Sequence, residues 1–148
     1  MSEHIGYTLT IALAIAIGVA MYLFARKWQA REIVAASEGA MLRTLIDNLP
    51  DLIYVKDVNG HFLLANVAVS RVMGAKTPSE LLGKNDFDFH PEALATLYHE
   101  DKQAVIRSGK PLLAREEECR DQTGNLIYLE TIKIPLRDAA GTVMGLVG

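Results

Sequence analysis

The sequence predicts an α+β fold: five short strands in one antiparallel sheet, with the helices gathered in the middle of the domain. Three observations carry this expectation. β-prone runs recur at residues 52–55, 61–65, 111–120, 125–137 and from Thr142 onward. One turn grammar, a basic residue, then Asp, two residues and Gly, stands between neighbouring runs. The stretch between the second and third runs changes to a helical pattern.

The chain has 148 residues, which suits one domain with accessories. Apolar residues make up 50%, charged residues 22%, and the net charge is -3, so electrostatics gives no case for a nucleic-acid partner. Cys119 is the single cysteine, which rules out a disulfide framework or a cysteine-based zinc site within the chain. The apolar excess collects at the start. Residues 5–25 carry no charge. At about 1.5 Å per residue they would span roughly 30 Å, the thickness of a bilayer core. Arg26, Lys27 and Arg31 follow, so the positive-inside rule puts the remainder in the cytoplasm. The expected organisation is a membrane anchor over 1–26, a helical linker over 27–40 and a folded domain over 41–148. The last strand, cut at Gly148, is expected to be truncated.

Residues 26–48 lack Pro and are rich in Ala, Glu, Arg and Leu, so they continue as helix until Pro50 disfavours helical geometry before it. Asn59-Gly60 marks a hairpin between the first two strands. Residues 67–73 read as a short helix closed by Gly74. Thr77-Pro78-Ser79-Glu80 has the spacing of a capping box for another. The longest helix of the domain runs over 91–108, with Gly109 as its stop. The three turns are Asp57 with Gly60, Asp121 with Gly124, and Asp138 with Gly141. Each Asp is expected to bond its own backbone while Gly takes positive φ. Their unequal spacing excludes a repeat array. A calcium loop needs a different ligand spacing and helical flanks.

Taken in order, these residues resemble a PAS domain. The carriers are residues 45–54, Lys56-Asp57 through Gly60, residues 62–66, residues 83–89, Gly109-Lys110-Pro111, and residues 134–138 with Gly141 and Gly145. The resemblance is to the PAS modules of bacterial sensor histidine kinases and diguanylate cyclases. It implies a ligand pocket between the concave sheet face and the central helices, and often a homodimer formed through the N-terminal helix. Joined to the uncharged run at 5–25, the resemblance makes the chain a single-pass sensory module of the bacterial inner membrane that passes a signal to a C-terminal output domain, the alternative being the N-terminal part of a histidine kinase or diguanylate cyclase. The family's usual aromatic in the penultimate strand is Tyr128 here. With that fold, the pocket-lining candidates are Tyr54, Leu64, Phe87, Leu94, Tyr98, Val105, Ile132 and Ile134, and a small-molecule ligand is the expected partner.

Cofactors are weighed on the same residues. Haem-binding PAS domains ligate iron through a His on the long helix, which points to His99. The helical wheel sets His99 on the order of 120° from the stripe of Leu94, Tyr98 and Val105, beside Glu100, Asp101 and Lys102, so it reads as a surface histidine on a wet face. Asp86, Asp88 and His90 read as caps ahead of Pro91, with Phe87 and Phe89 buried. The flavin motif of light-sensing relatives is missing, and Cys119 sits on an acidic strand. His61 and His4 have no evident partners. No catalytic constellation stands out, so these residues are expected to sense rather than catalyse and to hold no cofactor.

Overall fold

The computed structural model describes the backbone of residues 2–120 and 123–148 and the side chains of residues 17–118 and 123–148. The chain divides into a helical unit ending at Arg43 and a mixed unit from Thr44 to Gly148. A single helix, α1 (Ser2–Asp47), joins the segments expected as anchor and linker without interruption. Its exposed face is laced locally: the indole of Trp28 donates to Glu32 one turn on, at 2.9 Å. Among the described residues no helix is long and apolar enough to cross a membrane. Most of the uncharged run, residues 5–16, lies outside the described side chains.

The mixed unit follows the expected order. β1 (Tyr54–Asp57) and β2 (Phe62–Ala65) form a hairpin. Then come α2 (Val67–Met73), two 3₁₀ turns at Pro78–Leu81 and Asp86–Asp88, and α3 (Glu92–Ser108). β3 (Leu112–Arg120), β4 (Leu126–Arg137) and β5 (Val143–Val147) complete a five-stranded sheet in the order β2-β1-β5-β4-β3. Every neighbouring pair is antiparallel. β5 pairs with β1 on one side and β4 on the other, so the final strand sits at the centre of the sheet.

The turns use the same chemistry twice. Asp57 Oδ1 accepts from the N–H groups of Asn59 and His61 at 2.9 and 2.8 Å. Asp138 Oδ1 accepts from Ala140 and Thr142 at 2.9 and 2.8 Å. Gly60 and Gly141 take φ of 88° and 86°, a region that costs an L-residue free energy and glycine very little. His61 also has a partner that the sequence did not suggest, with Nδ1 3.1 Å from Asp57 Oδ2. In the second turn Gly124 has φ of 83°, while Asp121 lies outside the described residues.

Two local expectations are corrected. Thr77 makes no side-chain cap, and its segment winds as a 3₁₀ turn. Glu80 accepts instead from the N–H of Lys76 at 3.2 Å. The cap expected ahead of α3 closes the second 3₁₀ turn instead, and α3 itself starts after Pro91 with no side-chain cap: the Asn85 side chain accepts from Phe87 N–H at 2.9 Å while Asp88 accepts from Asn85 N–H at 2.8 Å. That leaves Asp86 free to turn inward.

The core is formed by Phe62, Ala65, Val69 and Leu81, with Leu52, Tyr54, Met73 and Phe89 packed against it. One polar residue organises its edge. Asn66 is fully buried. Its Oδ1 accepts from Val69 N–H, capping α2, and from Ile53 N–H. Its Nδ2 donates to the carbonyls of Ile46 and Asp51, both at 2.8 Å. Asp47 Oδ1 answers by accepting from Val67 N–H at 3.1 Å. Two side chains thus clasp the last turn of α1 to the start of the domain.

Candidate functional site

A cavity of about 580 Å³ lies between β1, β4, α2, α3 and the second 3₁₀ turn. That size suits a small-molecule site, for which roughly 300–1,000 Å³ is typical. Its walls include Leu52, Tyr54, Phe62, Val69, Val72, Met73 and Tyr98. Its floor is charged. Lys56, Asp86, Lys102 and Lys133 are 1%, 1%, 5% and 2% exposed.

Strand periodicity explains why charge points inward. Successive residues alternate faces. The pairs Tyr54 with Ala65 and Lys56 with Phe62 share one face of the first hairpin. On β4, Thr131 and Lys133 share a face with Glu117 of β3, which accepts from both at 3.1 and 2.6 Å. Asp86 bridges two elements: Oδ1 accepts from Lys56 Nζ at 2.8 Å and Oδ2 from Lys102 Nζ at 2.6 Å. The Lys56 ammonium also lies 3.9 Å from the ring centre of Phe62. Lys102 extends from α3 past the ring of Tyr98, 5.5 Å from its centre.

These charges perturb one another. Burial, reinforced by the neighbouring Lys102 ammonium, pulls the Lys56 pKa down to about 7 against the pull of Asp86. Burial pushes the Asp86 carboxyl upward, but the ammoniums of Lys102 and Lys56 outweigh it, and its pKa falls below the usual carboxylate range. The Tyr54 hydroxyl is held protonated above its ordinary range by burial, and then by the negative charges of Asp86 and Glu117. His90 borders the cavity; burial lowers its pKa, and its buried Nε2 has no hydrogen-bond partner among the described residues.

Of the eight residues expected to line a pocket, the cavity brings together Tyr54 and Tyr98, and Ile132 borders it with its side chain turned to the outer face. The other five sit elsewhere. Leu64 pairs with Val55, so alternation places it on the face opposite Tyr54. Phe87 is 46% exposed, because the 3₁₀ turn sends Asp86 inward and Phe87 out against His99. Leu94 is half-buried and Val105 buried, both away from the cavity. Ile134 is about half exposed on the outer face of β4, as is the Ile132 side chain, because Lys133 between them takes the inner position. His99 does not border the cavity: its Nδ1 lies against Gly60 and its ring 5.8 Å from that of Phe87. The Cys119 side chain lies outside the described residues.

The sequence reading missed the ionic floor. Lys102, read as part of a wet face, is buried; Asp86, read as a cap, is its counter-ion. The available signal was helical spacing: Lys102 lies four residues after Tyr98 and therefore on its face of α3.

A central-helix α+β domain with a ligand-sized cavity under its sheet is the architecture of a sensory module. Residues 46–148 match the family described as PAS fold, and the chain belongs to that family. It is 31% identical over 106 residues to the methanogenesis regulatory histidine kinase FilI of Methanothrix harundinacea (strain 6Ac); the match covers 72% of this chain and 12% of that protein. The PAS domain of Bordetella pertussis BvgS aligns with a TM-score of 0.59 at 30% identity, over 76% of this chain and 83% of that one. A Vibrio cholerae VqmA dimer, solved in the absence of its target DNA, aligns with a TM-score of 0.63 at 25% identity, over 70% of this chain and 46% of that one. A PAS domain is a sensory module, and that is the coarse function of these residues.

Proposed function

We propose that the chain is the membrane-anchored sensory part of a signal-transduction protein, and that its cavity binds a small molecule whose presence is passed along the chain to an output domain. The cavity carries this reading: it is of ligand size, and residues of β1, α3 and β4 line it. A ligand that prefers one arrangement of these elements shifts the population toward it. The Asn66 clasp gives a physical connection, since it ties α2 and the residues before β1 to the carbonyl of Ile46 in α1. The histidine kinase relative supports kinase output, and the VqmA dimer supports a homodimer as the working unit. Support for the anchor is the uncharged run at 5–25 followed by Arg26, Lys27 and Arg31.

Two experiments test these statements. Native mass spectrometry of the gently purified chain is expected to show a retained small molecule, absent after Val72→Trp fills the cavity. A stripped wild-type chain would count against the ligand. Membrane fractionation with protease shaving of spheroplasts is expected to leave the domain membrane-bound and protected. Recovery of the chain in the soluble fraction would remove the anchor.

A further inference from the structure

The polar groups of the cavity narrow the class of ligand. Five ionisable side chains make up its inner floor: Lys56, Lys102 and Lys133 against Asp86 and Glu117. With Lys56 protonated, three ammoniums face two carboxylates on this floor, an excess of one positive charge on lysines at most 5% exposed. Lys133 and Glu117 pair at 2.6 Å. The excess therefore rests on Lys56 and Lys102, which share the single carboxylate of Asp86. An ammonium has three donors, and within the described residues each of these two gives one charged hydrogen bond, to Asp86. His90, whose Nε2 has no hydrogen-bond partner among the described residues, borders the same space.

A buried unbalanced charge is costly and is relieved by a counter-ion that also fills hydrogen-bonding capacity. Burial already drags Lys56 down to about 7, so a second anion beside it would restore its charged form. The cavity sets limits on that anion. Glu118 and Glu130 occupy strand positions that alternate with the inward Glu117 and Thr131, so the floor sets the charge: its one excess positive charge is balanced by a single anionic group and overshot by a polyanion. Tyr54, Phe62, Val72 and Met73 offer an apolar wall for the rest of the molecule.

We propose that the cavity takes a small monocarboxylate with an apolar or aromatic body, its carboxylate set against the Lys102 and Lys56 ammoniums and its body against Tyr54, Phe62 and Met73. This rests on reading the cavity as a ligand site. Lys102 is the recognition group, being the more exposed of the two ammoniums; Lys56 lies behind it and shares Asp86.

The test is calorimetric titration of the purified full chain with benzoate, hexanoate and 4-phenylbutanoate, each beside its neutral amide. At least one acid is expected to bind the wild type about tenfold or more tighter than its amide, the effect of one charge-assisted hydrogen bond in a dry site. Lys102→Met is expected to erase that preference and Lys102→Arg to retain it, with circular dichroism confirming that each variant is folded. The acid-to-amide ratio on the wild type stands even if a variant fails to fold. Equal binding of acids and amides would overturn the carboxylate assignment and leave the cavity as a ligand site. Binding of neither set would overturn both.

Discussion

Replacing Asp86 with Asn perturbs the floor of the cavity most sharply. The carboxylate receives charged hydrogen bonds of 2.8 and 2.6 Å from two lysines that are 1% and 5% exposed. The amide keeps the shape and removes the charge, leaving two ammoniums near one another without a counter-ion. Breaking a buried pair by removing one partner costs about 3–5 kcal/mol, set by the uncompensated charge left behind. Lys56 has an escape, since its pKa is already pulled to about 7 and it sheds its proton readily. The loss is therefore expected toward the lower end, about 3 kcal/mol at pH 7, out of the 5–15 kcal/mol typical of a domain. The assay is urea unfolding followed by circular dichroism, with Lys56→Met and the double variant completing a cycle. The double variant is expected to recover at least about 1 kcal/mol of the Asp86→Asn loss, because one stranded charge is gone. An Asp86→Asn protein within about 0.5 kcal/mol of wild type, the scale of ordinary surface substitutions, would refute the picture of a dry, mutually dependent triad.

Three further outcomes follow from the same structure. The Lys56 pKa is depressed when folded, so between about pH 7 and its unfolded value near 10.5 the unfolded chain holds more protons; stability from this group rises with pH across that window, and Lys56→Met is expected to flatten the rise in urea titrations. Asn66→Ala strands two N–H groups and two carbonyls around a fully buried site, an expected loss of about 2–4 kcal/mol by chemical denaturation; a loss under about 1 kcal/mol would show the clasp to be dispensable. Gly145→Ala places a Cβ on the Lys56 carbonyl of the neighbouring strand, where the rigid backbone must move; a drop in thermal midpoint of several degrees or failure to fold is expected, and an unchanged midpoint would contradict the β1–β5 register.

Much of the fold was legible because its signals are local. The Asp57 and Asp138 turns can be read directly: one oxygen reaches two backbone N–H groups within four residues, and a glycine closes the turn. Gly74 and Gly109 ended helices at φ of 85° and 61°, as a left-handed cap requires. The cavity was less legible, because its lining depends on which face of each strand turns in. Apolar content favoured Ile132 and Ile134 as inward residues, yet Lys133 between them is the buried one. A lysine points inward only where a carboxylate from another element meets it, and Glu117 lies one strand away. The same holds for Lys102 and Asp86, sixteen residues apart and brought together by a 3₁₀ turn that also sends Phe87 outward. Long-range charge pairing leaves almost no trace in hydrophobic periodicity, so a pattern built on periodicity assigns such lysines to solvent.

The central claim is that this PAS domain holds a small molecule above the Lys56, Asp86 and Lys102 floor. A crystal structure of the full chain, purified from its own host and solved finely enough to separate an organic molecule from water, tests it most directly. The expected result is continuous ligand density between Tyr54, Met73 and Tyr98, with an anionic group within hydrogen-bond distance of Lys102 Nζ. A cavity holding only isolated waters, or one closed by its own side chains, would contradict it.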